Sequence, residues 1–169
     1  MGFYYHSTTV GFADIAKITT LNIYSVGCIH NCRGCHCPDL QDINHPERRI
    51  LDNDIDNLLK MSYGLIKGIC WFGGDPLYQP QPLFEIIQHI KKNYPDLLQI
   101  IFTGYVYNQL NDDIKHQLCQ YADYLIDGKY NGHVLGTELC NQKVYKFENQ
   151  TSINLDYNNF LKEIKQQIK

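Results

Sequence analysis

The chain has 169 residues and 44% hydrophobic residues, enough for one sizeable core and too short for two comfortable domains. Its net charge of −3, with no dense basic stripe and no apolar run of bilayer length, argues against nucleic-acid and membrane partners. Seven cysteines is an odd number, and four fall between positions 28 and 37; with no basic-then-apolar leader, this predicts a reducing cytoplasm rather than a secreted disulfide framework.

Residues 1–17 carry no clear period. Ile18 to Val26 is β-branched and aromatic, and predicts a strand running straight into a cysteine loop. Asp54 to Tyr63 predicts a helix with Ile55, Leu58 and Leu59 on one face and Gly64 as its stop. Leu65 to Phe72 is a mostly apolar run ending in Gly73-Gly74, as a buried parallel strand would. Pro82 opens a helix through Asn93, with Leu83, Ile86, Ile87 and Ile90 facing inward. Leu97 to Thr103 reads as another strand, stopped by Gly104. Leu110, Ile114 and Leu118 stripe the next helix, and Tyr124 to Asp127 makes a short strand before Gly128. Past a polar loop, Tyr157, Phe160, Leu161, Ile164 and Ile168 recur at helical spacing. Strands alternating with helices imply right-handed crossovers and a parallel sheet covered by helices. With too few units to close an eight-stranded barrel, residues 1–169 are expected to form one α/β domain, an open partial (β/α) barrel with a mostly parallel sheet.

The most informative local feature is Cys28-Ile29-His30-Asn31-Cys32-Arg33-Gly34-Cys35. It offers three thiolates, one fewer than a closed four-cysteine iron–sulfur site. A cluster held this way keeps one metal corner open, and an open coordination position is where a substrate can bind. Two other readings stand beside it. The spacing i, i+4, i+7 also describes a packed helical face, although Asn31, Arg33, Gly34 and Pro38 make a poor helix. A zinc knuckle would need Cys37, His30 or His36 as fourth ligand, yet no second C-x-x-C follows. Thiolates beside iron oxidise readily, which suggests function with little oxygen. Cys37, Cys70, Cys119 and Cys140 are taken as packing residues.

Ligand sites of parallel α/β sheets lie beyond the carboxyl ends of the strands. The unusual motifs all fall there: the cysteines, Gly73-Gly74-Asp75-Pro76, Thr103-Gly104-Tyr105 and Asp127-Gly128-Lys129. Each alone has an ordinary reading, as a tight turn, a packed aromatic or a solvated turn pair. The glycine pair does more than turn, because it strips side chains from a strand end and lets a ligand approach backbone groups.

The cysteine loop together with Gly73-Gly74-Asp75-Pro76-Leu77-Tyr78 resembles the radical S-adenosylmethionine superfamily. Thr103-Gly104-Tyr105, Ile126-Asp127-Gly128-Lys129-Tyr130 and Asn141-Gln142-Lys143 narrow the resemblance to the activating proteins of anaerobic ribonucleoside-triphosphate reductase. It spans residues 18 to 147 and implies the superfamily's partial barrel. It also implies a [4Fe-4S] cluster on Cys28, Cys32 and Cys35, with S-adenosylmethionine on the open iron. Reductive cleavage would give methionine and a 5′-deoxyadenosyl radical, which takes hydrogen from a glycine of the partner reductase's large subunit. A low-potential electron donor is implied as well. Gly34 and His36 would lie against the nucleoside, Gly73 and Gly74 against the amino end, and Asp127 and Lys129 near other polar groups of the cofactor. No residue reads as a general acid or base.

The chain departs from the family in three places. Before the first strand only Gly11-Phe12 stands where a Gly-Pro-Gly-x-Arg stretch is usual. His36 follows the third cysteine where an aromatic is common, and the Asn-Gln-Lys run is preceded by a stretched Gly136 to Cys140 segment. These leave room for an activase of another glycyl-radical enzyme, formate-lyase-like, or for a non-enzymatic iron–sulfur or zinc module.

Overall fold

The computed structural model describes residues 2–12, 18–51, 54–62 and 64–166. Tyr63 and Ile168, assigned above to helices, and positions 1 and 13–17 lie outside the described residues. The parallel centre is as expected. Strands β2 (Thr19–Ser25), β4 (Gly68–Gly73), β5 (Leu98–Phe102) and β6 (Tyr124–Asp127) pair side by side in parallel. Helices α1 (Ile55–Ser62), α2 (Pro80–Asn93) and α3 (Asp112–Tyr121) make the crossovers. Helix α2 starts two residues before the expected Pro82, because Pro80 already suits the first helical position. Leu110 stays outside α3, since Asn111 caps it by accepting the Ile114 N–H at 2.8 Å.

Four further strands were not legible as such. β1 (Phe3–Phe12) pairs antiparallel with β2, and β3 (Arg49–Leu51) pairs antiparallel with β1. Beyond β6, β7 (Lys143–Glu148) and β8 (Thr151–Leu155) form an antiparallel hairpin within what reads as a polar loop. The result is one open eight-stranded sheet in the order β3-β1-β2-β4-β5-β6-β7-β8, parallel in its middle and antiparallel at both flanks.

Alternation along the strands sends side chains to two cores. Leu21, Ile23, Ile69, Trp71 and Ile101 face α1, α2 and α3, and Phe3 meets Trp71 edge to face with centroids 5.6 Å apart. Leu83, Ile86, Ile87 and Ile90 of α2 are buried here, each worth about 1.5–3 kcal/mol of removed apolar surface. On the opposite face Cys70, Ile100, Tyr124 and Ile126 pack against Phe160 and Ile164 of the terminal helix α4 (Tyr157–Gln166). Cys70 thus serves the packing role expected of it. The four parallel strands all end at one rim, and that rim carries the motifs.

Candidate metal and cofactor site

The loop after β2 is fastened at its base. The Gly27 N–H donates to Leu40 O at 2.8 Å and the Cys28 N–H to Gln41 O at 2.9 Å, with a short 3-10 turn at Pro38–Gln41 closing the loop. Cys28, Cys32 and Cys35 are half-buried free thiols on this loop. Burial pushes the Cys28 thiol up; the His30 N–H, donating to its Sγ at 3.4 Å, pulls it back, while Asp75 and the other two thiols push it further up. Metal binding must displace those protons. Among the described residues, the ligand atoms that gather within 4.8 Å belong to Cys28, His30 and Asp75, not to the three thiols. A single tetrahedral zinc would hold its thiolates about 3.8 Å apart. Three thiolates on one loop are nonetheless the donor type an iron–sulfur cluster takes, each binding its own iron. The donor set therefore fits a three-cysteine iron–sulfur cluster.

Asp75 is the element that sequence reasoning passed over. It is 1% exposed, and every oxygen of its carboxylate is occupied. Oδ2 accepts from His30 Nε2 at 2.6 Å and from the Gly104 N–H at 2.8 Å, Oδ1 accepts from the Leu77 N–H at 2.9 Å, and the Thr103 hydroxyl donates to both at 2.9 Å. These donors explain the Cys28, His30 and Asp75 gathering as a satisfied hydrogen-bond cluster. The sequence offers His30 only as a possible zinc ligand and Thr103 and Tyr105 as ordinary residues; the available signal is a carboxylate at a buried strand end, which needs donors from somewhere.

The glycine pair has a packing reason beside the expected one. A Cβ on Gly74 would stand 2.6 Å from Gly27 O and 2.7 Å from Leu40 O, and the Gly74 N–H already donates to Ser25 O at 2.7 Å. The space freed by the missing side chain is filled by the backbone of the cysteine loop.

A cleft of about 630 Å³ opens beside the loop, walled by Ile29, His30, Gly104, Tyr105, Asp127 and Lys129 among others. That is an ordinary volume for a cofactor-sized ligand. Burial pushes the Tyr105 hydroxyl up, with the Asp75 charge adding to it. Asp127 is not a solvated turn residue: it is 2% exposed, and its oxygens accept the backbone N–H groups of Tyr107 at 2.7 Å and Lys143 at 3.2 Å. Burial raises its pKa above the ordinary carboxylate value, against the pull of those two N–H groups and the Lys143 charge. Lys129 is exposed at the same strand end. Gly34 has a left-handed φ of +72° with open space around it, and the His36 ring lies 4.5 Å from that of Tyr130. The cysteine loop and the loop after β6 therefore touch across the rim.

Comparison with known proteins gives a family and a fold. The family model described as a 4Fe-4S single cluster domain matches residues 19–152. An anaerobic ribonucleoside-triphosphate reductase-activating protein of Pasteurella multocida (strain Pm70) is 30% identical over 144 residues, covering 76% of this chain and 88% of that protein. Proteins of the same name from Enterobacteria phage T4 and Escherichia coli (strain K12) are 30% and 29% identical, covering 64% and 66% of this chain and 69% and 75% of theirs. Among solved structures, QueE from Escherichia coli shares the fold with a TM-score of 0.50 at 11% identity, over 62% of this chain. The aligned part spans about half of that structure, 53% of its length. With a matched cluster domain over most of its length and a curated relative 30% identical that it covers to 88%, this chain belongs to the family of anaerobic ribonucleoside-triphosphate reductase-activating proteins.

Proposed function

We propose that this chain is a radical S-adenosylmethionine activase that installs a glycyl radical on the large subunit of an anaerobic ribonucleoside-triphosphate reductase. Its cofactors are a [4Fe-4S] cluster and S-adenosylmethionine. The observation that carries the reading is the loop of three free thiols beside a cleft of about 630 Å³, at the rim where four parallel strands end.

When bound and reduced, the cluster and S-adenosylmethionine together supply one electron and, from the broken carbon–sulfur bond, a carbon radical able to take hydrogen from a glycine. The chain's own residues hold and shield. Cys28, Cys32 and Cys35 are the cluster ligands. Gly73 and Gly74 would present backbone groups to the amino end of the cofactor, and Gly34 and His36 would flank its nucleoside. Lys129, which lines the cleft, would reach polar groups of the cofactor. Asp127, its oxygens already accepting from Tyr107 and Lys143, shapes that end of the cleft more than it binds. Water would have to be kept from a centre that reacts with it.

The chain works in the cytoplasm with a low-potential electron donor, and no described helix is long and apolar enough to cross a membrane. The test is anaerobic reconstitution with iron and sulfide, then reduction in the presence of S-adenosylmethionine. Release of 5′-deoxyadenosine is expected, followed by a glycyl-radical electron paramagnetic resonance signal once the reductase is added. No 5′-deoxyadenosine would overturn the chemistry. A radical on a formate-lyase-like partner but not on the reductase would overturn the partner.

A further inference from the structure

His30 sits inside the cysteine loop, yet it is built unlike the rest of it. Between Cys28 and Asp39 it is the one buried residue. Its ring donates through Nε2 to Asp75 Oδ2 at 2.6 Å; because the carboxylate is already surrounded by donors, the ring nitrogen must carry the proton. The ring also lies on Gly104, where a Cβ would meet its Cδ2 at 2.3 Å and its Nε2 at 2.7 Å. Tyr105 closes the stack edge to face, with centroids 4.5 Å apart. A flat side chain with a donor at its far end is what that slot accepts.

The same residue touches the metal side. Its backbone N–H donates to Cys28 Sγ at 3.4 Å, and hydrogen bonds to cluster sulfurs help set reduction potential. Asp75, in turn, is fixed to the end of β5 by the Thr103 hydroxyl and the Gly104 N–H. The cysteine loop and the ends of β4 and β5 are thereby one hydrogen-bonded unit, and His30 and Gly104 both line the cleft.

Resting on the function proposed above, we propose that His30 is a positioning residue: clamped between Asp75 and Gly104, it fixes the Cys28 thiolate relative to the cofactor cleft. The buried pair is costly to assemble, and bulk packing alone would be served by an apolar side chain. What an apolar side chain lacks is the donor that pins the loop.

The test uses the full chain, reconstituted anaerobically, as parent, His30→Leu and His30→Gln. The parent takes up iron, and its reduced-cluster resonance spectrum changes when S-adenosylmethionine is added. His30→Leu takes up iron, but binds S-adenosylmethionine about 10–100-fold more weakly, the usual cost of losing an orienting partner. Its cluster potential falls, because the N–H that steadied negative charge on Sγ is no longer held in place. His30→Gln keeps a donor and restores most of both. An iron-loaded His30→Leu with the parent's spectrum, potential and affinity overturns the positioning role and leaves the proposed function standing. A parent that takes up no iron overturns both. Should His30→Leu fail to fold, as read from its circular dichroism melt, Thr103→Val decides. It loosens Asp75 without touching the loop, and weakened cofactor binding with normal iron supports the clamp, whereas unchanged binding overturns it.

Discussion

The Asp127 carboxylate accepts the backbone N–H of Tyr107 at 2.7 Å, so the last residue of β6 holds the turn that follows β5. Its other oxygen takes the Lys143 N–H at 3.2 Å, where β7 begins. One buried side chain thus fastens three segments of the cleft's far wall. Burial raises its pKa in the folded chain. A raised folded pKa means the native state holds its proton longer than the unfolded one. Stability from this group is therefore fully present below the ordinary carboxylate value and is lost as pH rises through the raised one. Asp127→Asn cannot titrate and loses one of two acceptors, a cost of about 1–3 kcal/mol. The stability gap between parent and variant, from urea melts, should be widest in acid and narrow with rising pH. A gap that widens with pH would contradict this.

Trp71 is the sole tryptophan, fully buried, and its indole N–H donates to Gln99 Oε1 at 2.9 Å between neighbouring strands. Gln99→Leu removes that acceptor while filling similar space. The stranded indole N–H should cost about 1–3 kcal/mol. Tryptophan fluorescence during urea unfolding reads this directly, since the one reporter is also the group affected. An unchanged midpoint would mean the indole finds another partner.

What the sequence made legible follows from periodicity. The parallel strands are rich in β-branched, aromatic and other apolar residues and end in glycine or a polar turn, so β2, β4, β5 and β6 stand out, and their ends locate the motifs. The flanking strands hide for separate reasons. The β7–β8 hairpin turns through Asn149 and Gln150 at φ of 51° and 59°, a conformation whose strongest signal is Asn-Gly; with Gln in the second place, that signal is absent. β8 is exposed along most of its length and shows no apolar alternation. In the site, the three cysteines announced themselves by spacing. His30 and Asp75 did not, because they are 45 residues apart and only the β2–β4 pairing brings their loops together.

Gly74→Ala separates two readings of the glycine pair. A ligand-access role would leave the unliganded fold intact and weaken only cofactor binding. The Cβ would instead stand 2.6 Å and 2.7 Å from the Gly27 and Leu40 carbonyl oxygens, backbone atoms that cannot swing aside. Overpacking of this kind costs about 1–3 kcal/mol. The variant should melt lower before any iron is added and should also load less iron. A normal melt with impaired S-adenosylmethionine binding would restore the ligand-access role.

The ligand assignment is tested by contrast within one loop. Cys32→Ala should lose the visible absorbance of the cluster and most bound iron, because two remaining thiolates cannot grip it. Cys37→Ala should keep both, since Cys28, Cys32 and Cys35 already form the set. Iron and sulfide content after anaerobic reconstitution is the measurement. Full iron in Cys32→Ala, or none in Cys37→Ala, would move the ligand set.

His36 and Tyr130 meet with ring centroids 4.5 Å apart, joining the cysteine loop to the loop after β6. Neither ring is part of a buried core: His36 is exposed and Tyr130 half-buried. A surface contact of this kind adds little to folding, about 0.5–1.5 kcal/mol at most for an aromatic pair. Under the function proposed above, the contact would stand on the nucleoside side of the cofactor and help set the separation of the two loops. Tyr130→Ala should therefore leave the melt and the iron content close to those of the parent while raising the dissociation constant for S-adenosylmethionine several-fold. Equilibrium binding to the reconstituted chain checks it. If affinity is unchanged while the melt drops, the pair is a folding contact, and His36 has no part in holding the nucleoside.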